Sequence, residues 1–385
     1  MKKTLLLLIA LLLLVNTAFA QEGMPFYEQV NAPKEGDAKE LSAYAEFTPD
    51  NNKKNIFRMT DRDYDTRFKT KGITINLKEP VYGLYICFDD DPKAWRITEH
   101  TTTRTKNTSV IESPYLHQFV KLNGATQLRI EPVENKKEWF AIKEIFLFAE
   151  GNLPRYVQTW EEPKQKNDIM VFFAHPDDEM LFFGGLIPTY AGELNKDMVA
   201  VVLTPSNKLR KSELLNALWT AGLKTYPEFG PFNDKWSNKL DKAYKYFGKK
   251  KVRSYVTELF RKYKPDTVFT HDINGEYGHG MHRMCADAAM LAFDNAADPQ
   301  KYPESAATYG TFEVQKLYIH LYPENQREFD WDKPLEYFDG LTGFQVAQAG
   351  YFCHTSQHRY EQFSVEPRDS KYSCYLFGLA KERQQ

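Results

Sequence analysis

The sequence has few cysteines, no excess of charge of either sign and, after its first twenty residues, no long apolar run. Its four cysteines among 385 residues are too sparse for a disulfide framework and lack zinc-finger spacing. A bridge between Cys353 and Cys374 and buried free thiols are both open interpretations. A total of 50 Lys and Arg against 52 Asp and Glu gives a net charge of -2. A nucleic-acid partner is therefore not expected.

The first twenty residues have the pattern of a targeting segment. Two lysines precede an apolar run, and the small residues Ala18 and Ala20 flank Phe19. This pattern predicts a signal peptide over residues 1–20, cleaved after Ala20. No later stretch is apolar enough to cross a bilayer. We therefore expect an exported protein, periplasmic or secreted, without stable membrane insertion.

Length and composition favour two folding units behind this segment. Hydrophobic residues make up 42% of the chain and aromatics 15%, which is enough to bury sizeable cores. Residues 21–155 contain short β-rich runs separated by turns, such as GITINL, VYGLYICF and FAIKEIFLFA. They predict an antiparallel β-sandwich. Residues 156–167 include a polar stretch that predicts a linker.

Residues 168–385 alternate apolar strands with amphipathic helices. DIMVFFA, DMVAVVLT and DTVFTH read as strands, and LRKSELLNALWTAGL and VRSYVTELFRKYK read as helices. A helix is also expected to begin in MLFFGGLIPTYAGEL. This alternation predicts a doubly wound α/β domain with a mostly parallel sheet. A ligand site of such a domain lies at the carboxyl ends of the strands.

Two polar segments follow two of these strands directly. The run from His175 to Glu179 follows DIMVFFA, and GEYGHGMH, which ends at His282, follows DTVFTH. Both should reach the same edge of the sheet. Catalytic zinc takes three protein ligands and keeps one position open, and neither segment alone offers three well-placed ligands. Together, His175, Asp178 and His282 would complete such a site.

These segments, with Cys353-His354-Thr355-Ser356-Gln357, resemble the LmbE/PIG-L metal-dependent N-deacetylases over roughly residues 166–385. The resemblance implies one zinc ion per chain, held by His175, Asp178 and His282. It also implies Asp177 as general base and His279 as the residue that assists at the scissile amide. Zinc brings the pKa of a bound water to about 7, so Asp177 can accept its proton, and a protonated His279 would stabilise the oxyanion.

Several other residues allow two interpretations each. Arg210 could contact substrate hydroxyls or form an i,i+3 ion pair with Glu213. Asp272 could hold a histidine or cap a turn, and His354 could close the site or be a hydrogen-bonded core histidine. For Glu179, at the start of a helix, a structural role is expected. The short turn after the strand DMVAVVLT leaves one pocket wall undefined.

The segment from Asp61 to Phe68, with strands GITINL and FAIKEIFLFAE, resembles a discoidin-type, galactose-binding-like domain. The resemblance implies a structural calcium near Asp61, Asp63 and Asp65. The alternative is a turn in which these carboxylates cap their own backbone. Such modules often bind glycans through loops, but this sequence identifies no sugar.

These observations together predict hydrolysis of an N-acetyl group on an amino sugar or glycan, releasing acetate and a free amine. One alternative is an enzyme of different specificity, an O-acetyl esterase or an amidase of larger acyl groups. Another is a non-catalytic glycan-binding protein. The complete set of histidines and aspartates in the two segments argues against this last alternative.

Overall fold

The computed structural model describes residues 23–103, 105–133, 139–360 and 362–383, so the expected signal peptide, residues 1–20, lies outside them. The described residues form two compact units. The N-terminal unit is residues 31–160, and the C-terminal unit comprises the residues before it and those from Glu161 onwards. Within these ranges, no helix combines the length and apolarity needed to cross a bilayer.

The unit boundaries differ from the expected domain limits of 21–155 and 156–167. The helix Met24–Val30 (α1) belongs to the C-terminal unit, where Val30 joins an apolar cluster with Leu335 and Phe338. Residues 156–160 belong to the N-terminal unit. There Val157 is buried and Gln158 Oε1 lies 2.9 Å from His117 Nδ1. The helix α1 therefore packs in the C-terminal unit, and residues 156–160 belong to the N-terminal unit instead of a linker.

The N-terminal unit is an antiparallel sheet. Its strands are Glu46–Pro49 (β1), Phe68–Thr70 (β2), Ile73–Phe88 (β3), Trp95–Thr101 (β4), Lys106–Ile111 (β5), His117–Pro132 (β6) and Phe140–Phe148 (β7). Every pairing among them is antiparallel. Short 3₁₀ turns lie at Ser42–Tyr44 and Ile56–Met59.

The long strands β3 and β6 each take part in two sets of pairings. The first half of β3 pairs with β1 and the second half with β7, and the register shifts between Asn76 and Gly83. Buried side chains from both halves, among them Ile75 and Leu84, share one apolar core with Leu128 and Leu147. The arrangement is compatible with the expected β-sandwich.

The C-terminal unit contains a second sheet of seven strands. They are Asn167–Phe173 (β8), Met198–Val202 (β9), Glu228–Phe229 (β10), Pro265–Thr270 (β11), Lys316–His320 (β12), Gln326–Glu328 (β13) and Leu376–Glu382 (β14). Their order is β10-β9-β8-β11-β12-β14-β13. The pairings from β10 to β12 are parallel, and β14 runs antiparallel to both of its neighbours. This confirms the predicted mostly parallel α/β fold.

The other helices of this unit are Asp178–Leu181 (α2), Lys208–Thr220 (α3), Leu240–Phe247 (α4), Lys249–Tyr263 (α5), Gly280–Asn295 (α6), Pro303–Tyr309 (α7) and Gly343–Phe352 (α8). A π-helical turn spans Pro188–Glu193, and 3₁₀ turns span Glu276–Gly278, Glu336–Phe338 and Thr355–Gln357.

The helix expected to begin in MLFFGGLIPTYAGEL is broken. It consists of the end of α2 and the π-helical turn, with Gly184 at φ +49° between them. A Cβ at Gly184 would lie 2.4 Å from Cys374 Sγ, so the chain passes too close to its neighbour for another residue. Tertiary packing here overrides the apolar periodicity.

Both faces of the sheet are buried. Met170 and Phe172 of β8 join a core with Val256 and Phe260 of α5, while the alternate residue Val171 is also fully buried. β8 lies between β9 and β11, so the chain leaves it to one side and later returns to the other. Such a reversal of strand order opens a crevice at the carboxyl ends of the two central strands. The chain segments that follow β8 and β11 meet there.

Candidate active site

The loop after β8 and the loop after β11 bring three predicted ligands together. His175 Nδ1 lies 3.2 Å from Asp178 Oδ2 and 3.2 Å from His282 Nε2, and His282 Nε2 lies 3.4 Å from Asp178 Oδ1. All three side chains are buried. Ligand bonds of 2.0–2.1 Å in tetrahedral geometry place ligand atoms about 3.3 Å apart. These spacings are in the range expected of side chains that share a zinc-sized cation, with one Asp178 oxygen facing each histidine.

Two further histidines stand beside this cluster. The sets His175, His279, His282 and Asp178, His271, His282 each bring ligand atoms within 4.8 Å of one another. His271 Nε2 accepts the Ala174 N–H at 3.0 Å, so that lone pair is already engaged. His175, Asp178 and His282 remain the set that best matches a three-ligand site.

His279 lies at the N-terminus of α6. Its Nδ1 accepts the backbone N–H of Met281 at 3.2 Å, so a neutral ring carries its proton on Nε2. Burial, with the neighbouring His175 and His282, lowers the pKa of His279 to about 2. Both observations favour a neutral ring that offers Nε2–H over the protonated ring allowed by the sequence argument.

Asp177 has an unusual backbone conformation and a well-defined partner. Its φ is +118°, which is rare for a residue with a side chain. Its N–H donates to Glu179 Oε2 at 2.8 Å, and its Oδ2 lies 2.9 Å from Arg210 Nη2. Burial raises the pKa of Asp177 to about 6, although Arg210 opposes the shift. This is the range in which a carboxylate serves well as a general base.

Arg210 belongs to the first turn of α3, where Asn207 caps the helix. Its guanidinium pairs with Asp177 and also donates to the carbonyl of Pro176. Glu213 instead accepts hydrogen bonds from Thr355 and Ser356. The i,i+3 pairing of Arg210 with Glu213 is therefore not the arrangement found, because each residue is engaged by a different loop.

Glu276 is the residue that sequence reasoning missed. Its carboxylate is fully buried and lies 2.9 Å from His271 Nδ1, 2.9 Å from His282 Nδ1 and 2.6 Å from His320 Nδ1. Burial opposes its charge, but the histidines, His271 foremost, outweigh it and hold the pKa of Glu276 well below its usual range. A carboxylate that accepts the second N–H of a ligand histidine fixes the ring orientation. Its place inside GEYGHGMH was the available signal.

Asp272, His354 and Glu179 have positions that settle their alternatives. Asp272 Oδ1 accepts the Asn274 N–H at 3.0 Å, so it caps a turn. His354 is fully buried, with Nε2 2.6 Å from Glu179 Oε1. Glu179, through its other oxygen, holds the backbone of Asp177. The structure therefore buries His354 behind the catalytic loop and puts it out of reach of a substrate.

A cavity of about 400 Å³ opens onto the cluster. Two walls extend beyond the quoted motifs: residues 231–239 contribute Asp234 and Trp236, and the chain after Gln357 contributes Tyr360, Gln362 and Phe363. Asp234 Oδ1 lies 3.5 Å from His175 Nε2. The lining residues are His175, Asp177, Asp178, Leu181, Phe182, Arg210, Asp234, Trp236, Tyr277, His279, His282, Gln357, Tyr360, Gln362 and Phe363. No motif pointed to the 231–239 segment.

The aspartates expected to bind calcium accept hydrogen bonds from the backbone of their own turn. Asp61 Oδ1 accepts the Asp63 N–H at 3.1 Å, Asp63 Oδ1 accepts the Asp65 N–H at 2.9 Å, and Thr66 donates to Asp61. In the described ranges, the side-chain groups with metal-binding geometry do not include these aspartates. The structure gives the expected calcium no support.

The four cysteines are free thiols in the part of the chain that is described. Cys353 and Cys374 therefore do not form the bridge that was one open interpretation.

The fold and the cluster define a class: an α/β protein with a buried His/Asp set, able to hold a divalent metal, at the floor of a cavity. Residues 170–293 match the family model described as GlcNAc-PI de-N-acetylase, PIG-L. The match covers less than half of the chain, so it assigns a similarity to this family over residues 170–293.

Individual relatives agree with this assignment. A 1D-myo-inositol 2-acetamido-2-deoxy-alpha-D-glucopyranoside deacetylase of Catenulispora acidiphila is 28% identical over 200 residues, 42% of this chain and 58% of the relative. A mycothiol S-conjugate amidase of Streptomyces coelicolor is 41% identical over 71 residues, 18% of this chain and 24% of the relative. The chain thus spans less than two thirds of either relative.

Among solved structures, the N,N'-diacetylchitobiose deacetylase of Pyrococcus horikoshii is similar with a TM-score of 0.39 and 16% identity. The match covers 53% of this chain and 72% of that one.

Proposed function

We propose that the protein is a zinc-dependent hydrolase that removes the N-acetyl group from an amino sugar or glycan. The observation that carries the proposal is the meeting of His175, Asp178 and His282 at 3.2–3.4 Å, with the Asp177 carboxylate on the same cavity. The histidine and aspartate side chains come from two loops that are 107 positions apart at His175 and His282. The names of the PIG-L family and of its deacetylase relatives support the same reaction class.

His175, Asp178 and His282 would hold the zinc ion. Bound there, zinc would supply Lewis-acid chemistry, which lowers the pKa of water and polarises an amide carbonyl. Glu276 fixes the His282 ring through Nδ1 and leaves Nε2 towards Asp178 and His175. The protein thereby pre-organises the ligand side chains.

Asp177 is the proposed general base. Its carboxylate takes a proton from the attacking water, and the water oxygen bonds to the acetyl carbon. His279, which carries its proton on Nε2, donates a hydrogen bond to the carbonyl oxygen as negative charge develops there. The C–N bond then breaks, and the proton held by Asp177 passes to the leaving nitrogen. The products are acetate and a free amine.

Arg210 keeps Asp177 in place during this cycle. Its ion pair at 2.9 Å stabilises the carboxylate, and its place on the cavity wall allows contact with a sugar hydroxyl. Asp272 and His354, which were also expected at the substrate, act in the proposal only through the loops that they support.

The N-terminal unit is proposed to be a discoidin-like module that binds glycans, in an exported, periplasmic or secreted protein. The signal-peptide pattern of residues 1–20 and the antiparallel sheet support these proposals. A polymeric glycan outside the cytoplasm would give such a module a role.

Metal content and acetate release test the main proposal. The full chain should bind about one zinc ion, and Asp177→Asn should retain it while acetate release from N-acetylated sugars falls by about 10²–10⁴-fold. Asp241→Asn, an exposed aspartate on α4, is the matched control and should keep full activity. A zinc-free chain, or an active Asp177→Asn variant, contradicts the mechanism.

An amidase of larger acyl groups is the second candidate, because the relative from Streptomyces coelicolor is named an amidase. Comparison of N-acetyl, N-butyryl and O-acetyl derivatives of one sugar separates the candidates. We expect N-acetyl to be the preferred group. A preference for N-butyryl or O-acetyl would reassign the specificity without changing the metal site.

A further inference from the structure

Trp236 is an exposed tryptophan at the mouth of the catalytic cavity. It keeps 63% of its surface exposed, and its ring centroid lies 4.6 Å from that of His279. His279 in turn lies 4.7 Å from the His175 ring. The indole therefore stands one ring away from the proposed metal ligands and still faces solvent. Large apolar surface left open beside a reactive centre indicates a binding surface.

The backbone of Trp236 and of the following residue, Ser237, is held by hydrogen bonds. The Trp236 carbonyl accepts the Tyr246 hydroxyl at 3.2 Å, and the carbonyl of the buried Ser237 accepts the Gly280 N–H at 2.6 Å. A Cβ at Gly280 would lie 2.0 Å from Ser237 Oγ, so only glycine allows this approach. Gly280 follows His279 directly. The backbone that carries Trp236 is therefore tied to the start of α6, next to His279.

The open face of the indole is suited to a sugar ring. The C–H groups on a pyranose face carry slight positive charge and are attracted to the negative face of an aromatic ring. The edges of the site, with Asp234 and Arg210, offer polar partners for hydroxyl groups. Tyr360, 38% exposed, lines the same cavity and adds a second aromatic side chain at the mouth.

We propose that Trp236 stacks on a second sugar ring, so that the substrate is an N-acetylated disaccharide or longer glycan rather than a monosaccharide. The sugar whose acetamido group reacts must lie against the histidines, and the group that reaches Trp236 is its glycosidic neighbour. This inference rests on the proposed deacetylase function and specifies its substrate.

The test compares N-acetylglucosamine with N,N'-diacetylchitobiose on the zinc-loaded full chain. Wild type should favour the disaccharide. Trp236→Ala should lower kcat/KM for the disaccharide about tenfold, mainly through KM, as expected for one lost aromatic contact. The same variant should leave the monosaccharide within about twofold, and Trp236→Phe should retain most of the disaccharide preference.

Leu194→Ala, which removes an apolar side chain 54% exposed in the C-terminal unit and away from the cavity, is the control and should leave both values unchanged. An equal loss on both sugars would show that Trp236 only supports His279, and no loss would show that it is idle. Either result overturns the inference but leaves the deacetylase proposal standing. Acetate release from neither sugar contradicts both.

Discussion

Each unit of the molecule contains a glutamate that is completely buried, and the two have opposite surroundings. Glu276 in the C-terminal unit is within 2.9 Å of three imidazole nitrogens, and its pKa is held well below the usual range. Glu144 in the N-terminal unit instead faces another acid, Asp61, and the backbone of Arg62. Burial and the nearby Asp61 raise the pKa of Glu144 to about 8.

The comparison shows how a cluster of side chains from several loops differs from an isolated buried acid. His271 and His282 are five and six positions from Glu276, but its third partner, His320, is 44 positions away, and His354 is 175 positions from Glu179. In the N-terminal unit, Thr66 is five positions from Asp61, and the aspartates there cap their own turn. The meeting of two loops that are distant in the sequence, more than acidity or burial, distinguishes the candidate active site.

Removal of a proposed zinc-ligand side chain from the candidate active site should have the largest effect. His282→Ala takes away the nitrogen that lies 3.2 Å from His175 Nδ1, and we expect zinc affinity to fall by more than about 100-fold. Chelator competition followed by metal analysis measures the loss. His100→Ala in the N-terminal unit should not change affinity, and a zinc-replete His282→Ala chain would show that another histidine is the third ligand.

Glu276→Gln should come next. A neutral amide cannot hold three imidazole N–H groups as a carboxylate does, so zinc affinity should fall by about 10–100-fold. Asp272→Asn is the matched control, since that acid in the same loop caps a turn. Equal zinc binding by Glu276→Gln and wild type would reduce Glu276 to a packing role.

Removal of the Glu144 charge should have the opposite sign of effect from the two preceding substitutions: it should be favourable, because it stabilises the N-terminal unit at high pH. The folded chain keeps a proton on Glu144 that an unfolded chain releases at its ordinary pKa of 4.5, whereas the folded pKa is about 8. The folded state therefore binds more protons in this window, and stability of the N-terminal unit falls as pH rises through it.

Glu144→Gln should remove that pH dependence and stabilise the unit at pH 8.5 by on the order of 2 kcal/mol. Hydrogen exchange of the β3 and β6 amides reports it. Glu150→Gln, at an exposed position, is the control. A variant less stable than wild type at high pH would mean that the Glu144 charge has a partner.

The smallest effect is expected at the local turn. Asp61→Ala removes the acceptor of the Asp63 N–H and the Thr66 hydroxyl, which should cost about 1 kcal/mol and leave acetate release unchanged. Hydrogen exchange of β2 amides measures it. Stability that depends on added calcium in wild type, and is lost in Asp61→Ala, would restore the calcium interpretation.

The sequence allowed the convergence itself to be predicted. Parallel strands end at one edge of a sheet, so residues that follow β8 and β11 had to approach each other, as His175 and His282 do. The apolar runs also predicted β8, β9, β11 and the helices α3 and α5. Hydrophobic periodicity and strand direction follow from the local sequence, and they are therefore sufficient to predict these elements.

Contacts between elements were beyond that reasoning. Arg210 pairs with Asp177 and not with Glu213, because the α3 N-terminus and the β8 loop meet in space. Trp236 lies in a segment without a motif, and His320 meets Glu276, 44 positions away, from a different strand. In each case the partner is far along the chain, and neither propensity nor periodicity identifies it.

The backbone of Asp177, at φ +118°, has one more consequence. A conformation of this kind costs about 1–3 kcal/mol, and glycine would adopt it without strain. Asp177→Gly would relieve that strain but would also leave the buried Arg210 guanidinium without the carboxylate it pairs with, so the two effects on stability oppose each other. Asp177→Asn keeps the strained backbone and loses only the charge, so a comparison of the melting temperatures of the two variants separates backbone strain from charge pairing.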